Sequence, residues 1–99
     1  MNISEVTEMI RAQAQKNAPF GATLKFQIDG EFIFLDGNGP ENIISNEDKE
    51  ADCMISTTSE HFQKLFKGEL NPMMAVMTGK VKVKGDMGVA MKLKSLMEG

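Results

Sequence analysis

Asp29-Gly30 stands between two runs of equal length, Thr23–Ile28 (TLKFQI) and Glu31–Asp36 (EFIFLD). Asp-Gly supplies two residues that accept positive φ, so the stretch predicts a β-hairpin with a two-residue turn. The turn also sets the register, placing 28 opposite 31, 26 opposite 33 and 24 opposite 35. One face then collects Leu24, Phe26, Ile28, Ile33 and Leu35, and is expected to be core. The other collects Lys25, Gln27, Phe32 and Phe34, a mixed face expected to be only partly covered. A sheet that begins this way must bury one side, and something else in the chain has to cover it.

The cover is readable on both sides of the hairpin. Residues 3–16 predict a helix, with Asn2 as N-cap, Glu5 three residues on, and Ile3, Val6, Ile10 and Ala14 on one stripe. Asn17-Ala18-Pro19 ends it. After the turn Gly37-Asn38-Gly39-Pro40, two short strands are expected at 42–46 and 51–57, joined by a charged loop. Ser59 is read as the cap of a helix over 60–67 that Gly68 stops. Asn71-Pro72 opens a helix over 72–77 that Gly79 ends. Lys80–Lys84 (KVKVK) alternates strictly and predicts a half-buried strand whose three lysines suit a sheet edge. Gly85 gives a tight turn, and Asp86 caps a last helix over 87–97, with Met87, Ala90 and Met91 on one side, Val89 and Leu93 on the next, and Lys92 and Lys94 outward. The order α–β–β–β–β–α–α–β–α predicts an α+β fold, with helices gathered on one face of a mainly antiparallel sheet.

Composition removes most function classes. Ninety-nine residues fit one small domain, read as residues 1–99. The chain has one cysteine, Cys53, and one histidine, His61, which excludes a disulfide framework and any Cys- or His-rich metal site. No apolar run is long enough to span a membrane, and the N-terminus has no signal-peptide core. The residues Leu96-Met97-Glu98-Gly99 form no peroxisomal or prenylation signal, so the cytoplasm is the expected location. Residues 1–60 carry 4 basic and 11 acidic groups, and residues 61–99 carry 7 and 3. With a pI near 5.1, a nucleic-acid partner is not expected. The lysines of the last third are expected on a solvated face, with weak attraction to an anionic surface.

Catalytic chemistry finds little support. Cys53 with His61 as base would be a nucleophile pair, but Cys53 points to the expected core face, where a thiol is inert. Asp48, Glu50 and Asp52 lack the glycine bend and terminal glutamate of a calcium loop. No enzyme activity and no cofactor are expected.

Methionine is the remaining signal. Nine Met accompany six Phe, with no Trp or Tyr, and six of the Met lie at 73, 74, 77, 87, 91 and 97. Phe62, Leu65, Phe66, Met73, Met74, Met77, Met87 and Met91 share the apolar helix faces, and Val81 and Val83 add the strand face. Two readings fit, a methionine-filled core and an apolar cavity whose unbranched side chains repack around varied ligands. Spacing alone favours the core.

The segment Gly68-x-Leu70-Asn71-Pro72, the run from Met77-x-Gly79 to Val83, and the closing Gly85-Asp86-Met87-Gly88-Val89-Ala90-Met91-Lys92-Leu93 resemble the sterol carrier protein 2 (SCP-2) family. Asn46-x-x-Lys49-x-Ala51-Asp52-Cys53 and the strands at 23–36 are also similar, so the resemblance covers about residues 20–97. It implies a five-stranded sheet in the order 3-2-1-4-5, with helices over one face enclosing a hydrophobic tunnel. It implies a non-catalytic carrier of fatty acids, fatty acyl-CoA, sterol-like molecules or phospholipids, without a metal. The tunnel walls are then expected at Phe62, Phe66, Met74, Met77, Val81, Val83, Met87 and Met91. Against the family pattern the N-terminal segment is shorter and the C-terminal tail is missing, which implies a wider mouth, with Met97 beside it. Partners are expected to be an apolar lipid and, transiently, an anionic membrane surface. The alternative is an accessory interaction domain whose Met-rich groove takes a partner's amphipathic helix.

Overall fold

The computed structural model describes residues 2–19 and 21–98, apart from the side chains at 72 and 93–98. Its elements are α1 (Ile3–Gln15), β1 (Thr23–Ile28), β2 (Glu31–Asp36), β3 (Ile43–Ser45), β4 (Cys53–Thr57), α2 (Ser59–Phe66), α3 (Pro72–Met77), β5 (Lys82–Gly85) and α4 (Met87–Glu98). They form one sheet in the order β3-β2-β1-β4-β5. All neighbours are antiparallel except the central pair β1 and β4.

The hairpin has the expected register, with Leu24 opposite Leu35, Phe26 opposite Ile33 and Ile28 opposite Glu31. Asp29 and Gly30 both take positive φ, 51° and 83°, as a type I′ turn requires. Across the parallel pair Leu24 meets Cys53 and Phe26 meets Ile55. One sheet face therefore carries Leu24, Phe26, Ile28, Ile33, Leu35, Cys53 and Ile55, all buried. Val6, Ile10 and Ala14 of α1 and Phe62 and Leu65 of α2 complete this core. On the opposite face Lys25 lies 5.1 Å above the Phe32 ring and pairs with Asp48 at 2.7 Å, while Lys49 lies 5.9 Å above Phe34. The two ammonium groups lie above both rings, and Phe34 is buried on the face expected to be only partly covered.

Three strands are shorter than their sequence patterns because flanking polar groups are used elsewhere. Asn42 donates to the Ala14 and Ala18 carbonyls, both at 3.1 Å, and Asn46 donates to Thr7 Oγ1 and the Phe32 carbonyl, both at 3.0 Å. The two asparagines thus tie the ends of β3 to α1 and to β2. The Asp52 N–H bonds Thr23 Oγ1 at 2.8 Å and its carboxylate accepts from the Thr23 N–H at 3.0 Å, a reciprocal clamp that delays β4 to Cys53. The Lys80 and Val81 N–H groups both bond the Ala75 carbonyl, at 2.9 and 3.1 Å. Those two residues complete the end of α3, and β5 begins only at Lys82.

The caps follow the sequence with one correction. Asn2 accepts from the Glu5 N–H, and Asn71 accepts from the Met73 and Met74 N–H groups. The cap of α2 is Thr58, not Ser59: Thr58 Oγ1 accepts from the His61 N–H, and Ser59 is the first helical residue. Thr58 is the residue with extended backbone (φ −97°, ψ 161°), which lets its hydroxyl turn back onto the helix. Asp86 accepts from the Gly88 N–H at 2.8 Å at the start of α4. The faces expected for Leu93, Lys94 and Met97 lie outside the described residues.

Candidate functional site

The region to test is the side of the molecule where α2, α3 and α4 meet β4 and β5. Both α2 and α3 end in the same way. Gly68 and Gly79 take φ +78°, and the next N–H, Glu69 or Lys80, bonds back to Lys64 or Ala75. This is the Schellman arrangement, and it fixes where each helix stops and how the chain leaves it. Gly85 does the same for the turn from β5 to α4. Its φ is +101°, and a Cβ there would lie 2.4 Å from the Asp52 carbonyl oxygen, which accepts the Asp86 N–H at 2.8 Å.

On this frame the eight predicted wall residues divide into three depths. Phe62 (2% exposed) and Val81 (4%) are fully inside. The Phe62 ring meets Phe26 edge-on at 5.9 Å and 79°, and lies 5.9 Å from Phe66 at a 42° tilt. Phe66 and Val83 are half-buried against the core, Val83 opposite Ile55. Met74 (52% exposed), Met87 (56%), Met91 (72%) and Met77 (77%) lie on the outside. The four methionines expected in the inner wall are therefore exposed side chains. Ala75 of α3 and Val89 of α4 are the side chains buried there instead.

A helix as short as α3 has little inward face: among its described side chains Ala75 alone is buried, and its carbonyl accepts the capping bonds from Lys80 and Val81. Small side chains at 75 and 89 bring both helices close, and the long side chains around them project outward. Sequence spacing missed Ala75 and Val89 as contacts and Met73 and Val76 as further exposed apolar positions. The one usable signal was the shortness of α3 between Asn71-Pro72 and Gly79.

A cavity of about 150 Å³ lies elsewhere, at the hairpin end, between Asn2, Ile3 and Val6 of α1, Ile28, Asp29 and Glu31 of the hairpin, and Ser59. It is smaller than the roughly 300–1,000 Å³ of ordinary ligand pockets and includes none of the eight residues.

The groups weighed for chemistry have structural surroundings. Cys53 is fully buried; burial pushes its thiol up from the ordinary range, and the Asp86 carboxylate adds to the shift. A thiol held neutral in this way is a poor nucleophile. His61 Nδ1 is buried with no hydrogen-bond partner. Asp48 pairs with Lys25, Glu47 pairs with Lys49 at 2.7 Å, and Asp52 holds Thr23. Among the described residues no group of three His, Cys, Asp or Glu side chains is placed to hold a metal ion, and no helix is long and apolar enough to cross a membrane.

Comparison with known proteins gives this architecture relatives. Human sterol carrier protein 2 is 37% identical over 81 residues, covering 82% of this chain and 14% of that protein. Human hydroxysteroid dehydrogenase-like protein 2 is 39% identical over 77 residues, covering 73% of this chain and 18% of that protein. The chain thus spans less than a fifth of the length of either. Among solved structures, palmitated SCP2L2 from Aedes aegypti aligns over 100% of this chain and 96% of its own, with a TM-score of 0.75 and 18% identity. The strand order and the helix-covered face agree with that fold. The model of the SCP-2 sterol transfer family matches residues 5–98, and this chain belongs to that family of lipid-binding domains.

Proposed function

We propose that residues 1–99 form one non-catalytic domain that binds a long acyl chain or similar apolar lipid and carries it through water. The observation that carries this reading is the three-depth set itself. Phe62 and Phe66 form an aromatic pair, Val81 is buried and Val83 half-buried, and Met74, Met77, Met87 and Met91 stand exposed on the following helices. The family match supports it, as does the palmitated state of the Aedes aegypti relative. Cargo enters by parting α3 and α4 from the sheet edge, and the unbranched methionines fold over it. No covalent bond changes and no cofactor is needed. Methylene burial at about 0.8 kcal/mol each, less the costs of association, gives an affinity on the order of micromolar. Fatty acyl-CoA, sterol-like molecules and phospholipids fall within the same class of cargo, and the cytoplasm is its setting.

The test is binding of a fluorescent fatty acid. Met77→Asp and Phe66→Asp should each abolish binding in a chain that keeps its circular dichroism spectrum. Unchanged affinity in both variants overturns the assignment. A second reading rests on the exposure of the same methionines, since flexible apolar surfaces also accept amphipathic helices. Native mass spectrometry separates the two: co-purifying lipid supports the carrier, whereas an empty chain held in a stoichiometric protein complex supports the interaction domain.

A further inference from the structure

Seven of the nine methionines have described side chains, and they divide by exposure. Met9 and Met54 are half-buried. Met73, Met74, Met77, Met87 and Met91 are each more than half exposed, and all five lie on α3 and the start of α4. Side chains exposed to this degree leave their thioether sulfurs open to a small oxidant in water. The one thiol of the chain is not open in this way. Cys53 is fully buried, and burial pushes it up from the ordinary range, so the thiolate that oxidants attack is scarce.

We propose that these five methionines form a reversible oxidation site that switches off uptake of cargo. The oxidant is hydrogen peroxide. A sulfur lone pair attacks one peroxide oxygen, the O–O bond breaks, and the hydroxide released takes the proton left on the transferred oxygen. The sulfide is oxidised to sulfoxide and the peroxide is reduced to water. A flexible apolar side chain becomes a polar one whose oxygen needs a hydrogen-bond donor. On the free domain water supplies that donor. Beneath a lipid nothing does, so the penalty falls on the loaded state and not on the fold. Sulfoxide reductases, one for each epimer, return the oxygen as water while two thiols become a disulfide, and the apolar surface is restored. The switch rests on the carrier reading, which places Met74, Met77, Met87 and Met91 against cargo. The order of attack, these five sulfurs ahead of Cys53, does not rest on it.

The full chain is treated with hydrogen peroxide at neutral pH and followed by tandem mass spectrometry of its peptides. Sulfoxide is expected at the five exposed positions before Met9, Met54 or Cys53 is oxidised. Affinity for the fluorescent fatty acid should fall by at least about tenfold, the effect of one sulfoxide covered without a donor. The circular dichroism spectrum should stay that of the untreated chain, and the two reductases together should return the affinity. Cys53→Ala should respond to peroxide as the parent does; a response lost in that variant assigns the effect to the thiol and overturns the proposal. Earlier oxidation of Cys53, Met9 or Met54 overturns it, as does unchanged affinity with all five sulfoxides in place. Loss of the folded spectrum on oxidation overturns it too, because affinity is then lost with the core. An untreated chain that never binds the fatty acid overturns the carrier reading and the switch with it, while the peptide map still decides whether these five sulfurs are the oxidation site.

Discussion

From α1 to β4 most large apolar side chains are buried, Ile43 being the exposed exception; from α3 to the start of α4 most are exposed. In the N-terminal portion Val6, Ile10, Leu24, Phe26, Ile28, Ile33, Leu35 and Ile55 all lie within the core. In the C-terminal third the buried positions include Ala75, Val81 and Val89, while five methionines are more than half exposed. The difference is not one of hydrophobic content, since both regions are rich in apolar residues. Long elements with many partners sort their side chains by period, because a slipped strand or rotated helix exposes a whole face. Short α3 has room for little more than Ala75 on its buried side, and its methionines are left exposed.

Five substitutions would break or sharpen this contrast. Phe62→Ala should cost the most, about 3–5 kcal/mol in chemical denaturation, since it opens a hole beside Phe26 in a fully buried site. A loss below about 1 kcal/mol would mean that the aromatic pair is loosely packed and belongs with the C-terminal region. Gly85→Ala should cost about 2–4 kcal/mol, from the unfavourable φ and the clash with the Asp52 carbonyl. Near-neutral stability there would show that the β5–α4 turn is free of the rest of the sheet. Thr58→Ala should cost about 1 kcal/mol and Ser59→Ala within about 0.5 kcal/mol, a reversal of which would return the cap to Ser59. Met77→Ser should have the smallest effect, within about 0.5 kcal/mol of the parent in thermal melts. A loss as large as that of Phe62→Ala would place Met77 in the interior after all.

Much of this architecture was legible in the residues. Asp29-Gly30 set the hairpin and its register, Asn71-Pro72 and Gly79 bounded α3, and the stripe of α1 named its buried face. The ends of β3, β4 and β5 were not legible. Asn42, Asn46, Asp52, Lys80 and Val81 have local patterns that fit a strand, yet their polar groups bond partners distant in sequence or complete a helix end. The candidate site was legible in residue type and not in direction. Spacing grouped the methionines on α3 and α4, but in a helix of less than two turns the pattern did not show that Ala75 would be the buried position. The buried ends of the set, Phe62 and Val81, were easier because α2 has a clear apolar face and KVKVK alternates.

The two ends of the sheet carry one more consequence. At one side β3 offers only three residues to a newcomer, and both of its flanks are occupied by asparagine side chains reaching to α1 and β2. At the other, β5 offers four residues with exposed lysines at 82 and 84, and then turns away at Gly85. The β5 strand of another copy approaching this edge meets like charges. Edge-to-edge pairing of two β5 strands is therefore disfavoured by charge, a safeguard for a chain that displays an apolar surface on the neighbouring helices.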